Sequence, residues 1–283
     1  MTLVLGTHTF DASGDAARRQ AAALDSLRLL RGVIPVNVQF ARAGHSVAGI
    51  ETIARLNRDS CTVTRRAGPR KPILPDVLDL LCTRAEETGS RRFVFMNADI
   101  HLSQEAVDGM SMSAGAHDGW LFSREDYDGQ TGASLGMATA GTDVIAFSTG
   151  WWRQNRARFR PYIVGEAVWD NVYTSIVMCH ANAALENRRP LARHEAHPIA
   201  WSAGCGPFGR YTQYLAALDS GYFSIWCRYW AGLQDLRRAG AAEEEERALA
   251  REVFVWSPGA AARAVQSLRG VRASLRYRLS SGP

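Results

Sequence analysis

Between Leu3 and Met96, three short apolar runs alternate with two stretches whose apolar residues recur at helical spacing. The first run, Leu3-Val-Leu-Gly-Thr-His-Thr-Phe10, closes on Asp11, Ser13 and Gly14, all turn formers. Ala23, Leu24, Leu27 and Leu30 then fall on one stripe of a helix that Gly32 ends. Val33-Ile-Pro-Val-Asn-Val-Gln-Phe40 reads as a second strand. After a polar, basic connection from Arg65 to Lys71, Ile73, Leu74, Val77, Leu78 and Leu81 form a second helical stripe, with Pro75 suited to its first turn. Gly89 precedes the compact apolar run Phe93-Val-Phe-Met96. Strands of this kind, buried on both faces and alternating with helices, predict a mainly parallel sheet flanked by helices.

The rest is less regular. Residues 111–141 are rich in Gly, Ser, Ala and Asp, with Trp120-Leu-Phe122 as one strand; Asp143-Val-Ile-Ala-Phe147 is a clearer one. Val168, Trp169, Val172, Tyr173, Ile176 and Val177 predict a helix beginning near Gly165. From Tyr211 onward the pattern is helical, with an acidic run from Glu243 to Glu246 and then a basic tail. A chain of 283 residues without a repeat or a clear linker is read as one α/β domain over residues 1–209, carrying a helical extension over 210–283 packed on it.

Composition narrows the function classes. At 46% hydrophobic and 22% charged residues the chain is an ordinary globular one, with no apolar run near the roughly 20 residues that cross a bilayer. Met1-Thr-Leu-Val-Leu-Gly-Thr-His8 has no basic start and too short an apolar run for a secretory signal, so a cytoplasmic protein is expected. The five cysteines, Cys61, Cys82, Cys179, Cys205 and Cys227, are too dispersed for a zinc knuckle or redox pair. The net charge of +5 is uneven: Arg263, Arg269, Arg272, Arg276 and Arg278 lie in the tail with no acid among them. Such a tail suits a solvated helix face or contact with an anionic surface, such as the inner membrane face or a phosphate-bearing substrate. No aromatic-basic pattern accompanies it, and nucleic acid is not expected as a partner.

Polar residues with catalytic chemistry gather at three places. Phe93-Val-Phe-Met-Asn97-Ala-Asp99-Ile-His101 is an apolar strand ending in Asn-x-Asp, which puts polar side chains at the edge where open α/β sheets bind ligands. A carboxylate there can hold magnesium or manganese against a diphosphate, although Asp and Asn also simply close strands in turns. Gly165-Glu-Ala-Val-Trp169-Asp170-Asn171 places Asp170 near a helix start, where an acid can serve as proton acceptor or as plain helix N-terminal chemistry. Arg193-His194-Glu195-Ala-His197-Pro198 offers two histidines three apart, one metal ligand or two if the segment turns suitably. Trp151-Trp152 and the cluster from Tyr222 to Trp230 suit core packing, or stacking on an acceptor sugar.

Taken in order, these segments resemble the bacterial GT-A-type glycosyltransferases that use nucleotide sugars, including members acting in surface-polysaccharide assembly. The resemblance runs through Asn97-Ala-Asp99-Ile100, Ser123-Arg-Glu-Asp126, Gly141-Thr-Asp143-Val-Ile-Ala-Phe147, Gly165-x-x-x-Trp169-Asp170-Asn171 and the cluster from His194 to His197, covering roughly residues 1–205. It implies a Rossmann-like GT-A fold and transfer from a nucleoside-diphosphate sugar to a hydroxyl of a saccharide or lipid-linked acceptor. Asp99 would hold Mn2+ or Mg2+, with His197 or else His194 as the late ligand, and Asp170 would activate the acceptor. Thr7, Asn97 and Trp169 would lie along the nucleotide sugar, and Lys71 and Arg124 would meet its phosphates. Asn97 stands where the family carries the first acid of its metal motif, which lowers the expected metal affinity and leaves metal-independent transfer open. His101 could compensate only if extended geometry persisted past Asp99. Two other readings are a sugar-nucleotide-forming nucleotidyltransferase, disfavoured because residues 7–14 carry no Lys or Arg, and a non-catalytic carbohydrate-binding or scaffold subunit.

Overall fold

The computed structural model describes residues 2–42, 46–112, 115–198 and 206–256. The chain opens with β1 (Leu3–Thr7), α1 (Gly14–Leu29), β2 (Val33–Phe40) and β3 (Glu51–Leu56), and continues through the single turn α2 (Ser60–Thr64) to α3 (Leu74–Glu87), which has proline in its first turn. Next come β4 (Arg92–Met96), β5 (Ile100–Leu102), α4 (Gln104–Met112), β6 (Gly119–Phe122), β7 (Arg124–Tyr127), β8 (Ser134–Ala138) and β9 (Val144–Ser148). The last part holds α5 (Thr149–Asn155), α6 (Trp169–His180), β10 (Ala183–Glu186), β11 (Ala192–Glu195), α7 (Gly209–Leu218), α8 (Ser220–Arg238) and α9 (Glu243–Val253).

Seven strands form a central sheet in the order β10-β6-β9-β4-β1-β2-β3. All neighbours are parallel except β9, which runs antiparallel between β4 and β6. Side chains alternate along each strand, and this divides the core in two. Val4, Phe93 and Phe95 face α3, α5 and α6, whereas Leu3, Leu5, Val94 and Met96 face Leu24, Leu27 and Met110 of α1 and α4. Gly6 explains how closely α3 approaches: a Cβ there would lie 2.2 Å from a methyl carbon of Leu81. Trp152, predicted as core, is fully buried against Phe147 and Phe159.

A second sheet, β5-β11-β7-β8, leaves the central one at the end of β4. After Gly209, α7 inserts Tyr211 and Leu215 into the α3 side of the core, and α8 and α9 close a separate cluster around Ile225, Trp226, Tyr229, Leu233 and Phe254. No helix among the described residues is long and apolar enough to cross a membrane. The basic tail and Cys205 lie outside the described residues.

Candidate active site

Topology brings three chain segments to one edge. Because β9 runs against both β4 and β6, its first residue, Val144, pairs with Met96 and Phe122, the last residues of those strands. Asp143, Asn97 and Ser123-Arg124 therefore meet at the carboxyl end of the parallel strands, where open α/β sheets bind ligands. The Asn97 amide donates to Asp143 Oδ1 at 2.9 Å, and Arg124 Nη1 donates to the same oxygen at 2.8 Å. Arg124 Nε donates to Asp126 Oδ1 at 2.8 Å. Burial works against the Arg124 charge, but Asp143 and Asp126 outweigh it and hold the guanidinium more firmly protonated than usual.

Extended geometry stops at Met96. Residues 97–99 turn, with Ile100 N donating to Asn97 O at 3.3 Å, and the short β5 leaves in a new direction. His101 consequently faces Tyr127, its Nε2 3.4 Å from the phenol oxygen, and does not join Asp99. The partners of Asp99 come instead from β11 and the residues after it. His194 is paired in register with Ile100 on one side and Asp126 on the other. Its Nε2 lies 3.5 Å from Asp99 Oδ2, and His197 Nε2 lies 3.4 Å from the same oxygen. Donor atoms of Asp99, His194 and His197 all fall within 4.8 Å of one another, a spacing that fits a single divalent cation. Both histidines thus stand at the cluster.

The remaining ring nitrogens are also engaged. His194 Nδ1 is 2.8 Å from Asp126 Oδ1, and His197 Nδ1 is 2.9 Å from Pro198 O. Burial opposes charge on His194, yet its hydrogen bonds to Asp126 and Asp99 carry its pKa up to about 9. Burial would likewise raise Asp99, but the two histidines hold its carboxyl far below the usual range. Without a metal, then, the cluster is a protonated imidazole between carboxylates. A cation would displace that proton.

Asp170 lies in the first turn of α6. The preceding Val168 is at φ 80°, a left-handed conformation unusual for a β-branched residue and of the strained kind that gathers at functional sites. The carboxylate presses on the backbone of Gly141, where a Cβ would lie 1.8 Å from Asp170 Oδ2. The 140–141 segment is itself anchored: Ala140 O accepts from Asn171 Nδ2 at 2.6 Å and from Trp226 Nε1 at 3.2 Å, and Gly141 O from Ser123 Oγ at 3.0 Å. Burial first and the Asp143 charge second push the Asp170 pKa up to about 7, against the helix-start N–H groups and Arg124. An acid with that value can take a proton at neutral pH.

Thr7 is fully buried at the end of β1, and its Oγ1 has no hydrogen-bond partner among the described residues. Lys71 Nζ bonds Glu166 Oε1 at 2.7 Å and Gly165 O at 3.2 Å, beside the loop leading to Asp170. Trp169 is buried against Phe95 and Tyr173 in the core. Arg124, expected at phosphates, is engaged by two carboxylates of the protein. Asp126, Asp143 and Gly141 were given no role from sequence, although the segments quoted for the resemblance contain all three.

A mixed sheet with one antiparallel strand beside β4, a turn bearing Asp99 at its edge and a small second sheet define the GT-A class of fold. Among solved structures the chain is similar to the S. aureus TarS fragment 1–349 in complex with UDP-GlcNAc, with a TM-score of 0.51 and 12% identity over 77% of this chain and 66% of that one. At such identity the likeness is one of fold. The same fragment in complex with UDP gives a TM-score of 0.49 at 13% identity, covering 99% of this chain and 92% of that one. A Desulfovibrio desulfuricans G20 protein assigned as a nucleotide-diphospho-sugar transferase gives 0.32 at 13% identity, over 53% and 65% of the two chains. No protein-family model and no curated protein matches the chain.

Proposed function

We propose that this chain is a glycosyltransferase that moves a sugar from a nucleoside-diphosphate donor to a hydroxyl of a saccharide or lipid-linked acceptor, in the assembly of a cell-surface polysaccharide or glycoconjugate. The observation that carries this reading is the convergence, at one sheet edge, of a cation-sized Asp99/His194/His197 cluster and a carboxylate with a pKa of about 7. The two are joined through residues 141–143: Asp170 rests on Gly141, and Asn97 binds Asp143. A general base beside a cation site suits displacement of a diphosphate by an alcohol.

In this mechanism Asp170 accepts the proton of the acceptor hydroxyl as its oxygen bonds to the anomeric carbon. The bond from that carbon to the diphosphate oxygen breaks with its electron pair leaving on the diphosphate, and attack from the opposite face inverts the centre. Asp99, His194 and His197 would hold a divalent cation, which when bound neutralises the charge on the departing diphosphate. Two imidazoles beside one carboxylate favour manganese over magnesium, which prefers oxygen ligands and near-ideal octahedral geometry. Thr7, buried at the end of β1, would back the nucleotide-sugar site, and Lys71 beside the 165–168 loop would meet the donor's phosphates. The fold likeness to a UDP-GlcNAc complex makes uridine nucleotides the first donors to test.

The test is nucleotide release from a panel of nucleoside-diphosphate sugars, with and without saccharide acceptors, in wild type and Asp170→Asn. Wild type should turn over at least one donor, and the variant should lose about 100-fold or more while binding that donor equally well. Equal turnover in Asp170→Asn would remove Asp170 from the mechanism. Donor binding without turnover across the panel would favour a non-catalytic carbohydrate-binding subunit.

A further inference from the structure

The hydrogen bonds that begin at Asn97 do not stop at Asp143. Asn97 donates to Asp143 Oδ1, Arg124 donates to both Asp143 Oδ1 and Asp126 Oδ1, and Asp126 Oδ1 meets His194 Nδ1 at 2.8 Å. His194 then presents Nε2 to Asp99. An acid in place of Asn97 would set a carboxylate oxygen against Asp143 Oδ1, where the amide donor now sits at 2.9 Å. Like charges at that distance repel. The amide is therefore the residue that this wiring requires.

From this geometry we infer that Asp126 is a positioning residue of the Asp99/His194/His197 centre and acts on it through His194. The inference rests on the metal-centre reading above. By accepting from Nδ1–H, Asp126 fixes the tautomer of His194, so that the Nε2 lone pair points at the cation position beside Asp99. The His194 side chain is only 5% exposed, which shuts out bulk water as a substitute partner, and its in-register pairing with Asp126 holds the two side chains on one face of the small sheet. Arg124 clamps Asp126 from the other side and ties it to the edge of the central sheet. A carboxylate behind a ligating histidine also makes the ring a stronger donor, and loss of such a partner typically costs about 10- to 100-fold in metal affinity.

The experiment titrates the full chain with Mn2+ by electron paramagnetic resonance, comparing wild type with Asp126→Asn, Asp126→Ala, Asn97→Asp and Asp99→Ala. Metal-free melting of each variant is recorded alongside, and ring-15N spectra of His194 are taken for wild type and Asp126→Ala. Asp126→Ala should weaken manganese about 10- to 100-fold, with Asp126→Asn, which keeps an acceptor oxygen, losing less. The 15N spectrum should show Nδ1 protonated in wild type with manganese-free protein at high pH, and a tautomer mixture in Asp126→Ala. Asn97→Asp should bind manganese no more tightly than wild type. Unchanged affinity in both Asp126 variants, with Asp99→Ala still weakened, would overturn the role of Asp126 and leave the metal centre standing. Tenfold tighter binding by Asn97→Asp would overturn it equally. Absence of manganese binding in wild type would overturn the metal centre itself, and with it this inference.

Discussion

Asp170 occupies a place where its charge is costly. Its pKa rises from the usual carboxylate range to about 7 because burial and Asp143 both disfavour ionisation. As the proposed base it must be ionised, so transfer should rise as pH climbs through about 7 and fall on the acid side; a rate flat from pH 5 to 9 would contradict that role. The same shift fixes a stability effect by linkage. Between roughly pH 4 and pH 7 the folded chain holds a proton at Asp170 that the unfolded chain has released, so this group lowers stability progressively across that window and the loss persists above it. Asp170→Asn escapes this cost. Its melting temperature relative to wild type should climb between pH 4 and pH 7 and then level off; calorimetry at several pH values checks it. Gly141 belongs to the same device. A methyl group at that position would overlap the Asp170 carboxylate, so Gly141→Ala should displace the base, cut transfer sharply and cost about 1–3 kcal/mol of stability in urea unfolding.

Elements are held at the site by a few buried polar links. Arg92, the first residue of β4, is 2% exposed and donates through both terminal nitrogens to the backbone, at Met110 O near the end of α4 and at His117 O before β6. A cation at a helix C-terminus also suits the helix dipole. Arg92→Met should strip one buried and one half-buried carbonyl of a charged donor and cost about 2–3 kcal/mol in unfolding experiments, with donor binding retained in the folded fraction. A loss below about 0.5 kcal/mol, the range of ordinary surface substitutions, would mean that water replaces the guanidinium. The small sheet depends on a different link. Arg18 of α1 grips the Glu195 carboxylate on β11, the residue next to His194, and a Cβ at Gly129 would strike that carboxylate at 2.3 Å. Through that pair, the helix that follows β1 and the strand bearing His194 are braced together.

Across the molecule, what could be read from sequence follows burial. β4 and β9 are covered on both faces, so they carry the unbroken apolar runs Phe93–Met96 and Val144–Phe147, β2 is apolar apart from the buried Asn37 and Gln39, and α3 and α6 show clear stripes. The small sheet was not legible, because β7 reads Arg-Glu-Asp-Tyr and β11 reads Ala-Arg-His-Glu, polar strands with no alternation to betray them. β3, with exposed Glu51, Ala54 and Arg55, escaped for a related reason. The site divided the same way. Asp99 and Asp170 announced themselves at a strand end and a helix start. That His194 and His197 meet Asp99, which lies 98 residues before His197, depends on β11 pairing with β5, and no local pattern encodes such a contact. Asp126 was hidden by the same gap. Trp169, for which the resemblance implied ligand contact, packs in the core, as its periodic spacing with Val172 and Tyr173 indicates.

The central claim, that a nucleoside diphosphate and a divalent cation share the edge bearing Asp99, is tested most directly by calorimetric titration of UDP into wild type and Asp99→Ala, each with manganese and with chelator. The account predicts binding to wild type that strengthens at least tenfold with manganese, and no such strengthening in Asp99→Ala. Equal affinity in all four titrations, or none in any of them when other nucleoside diphosphates are also tried, would contradict it.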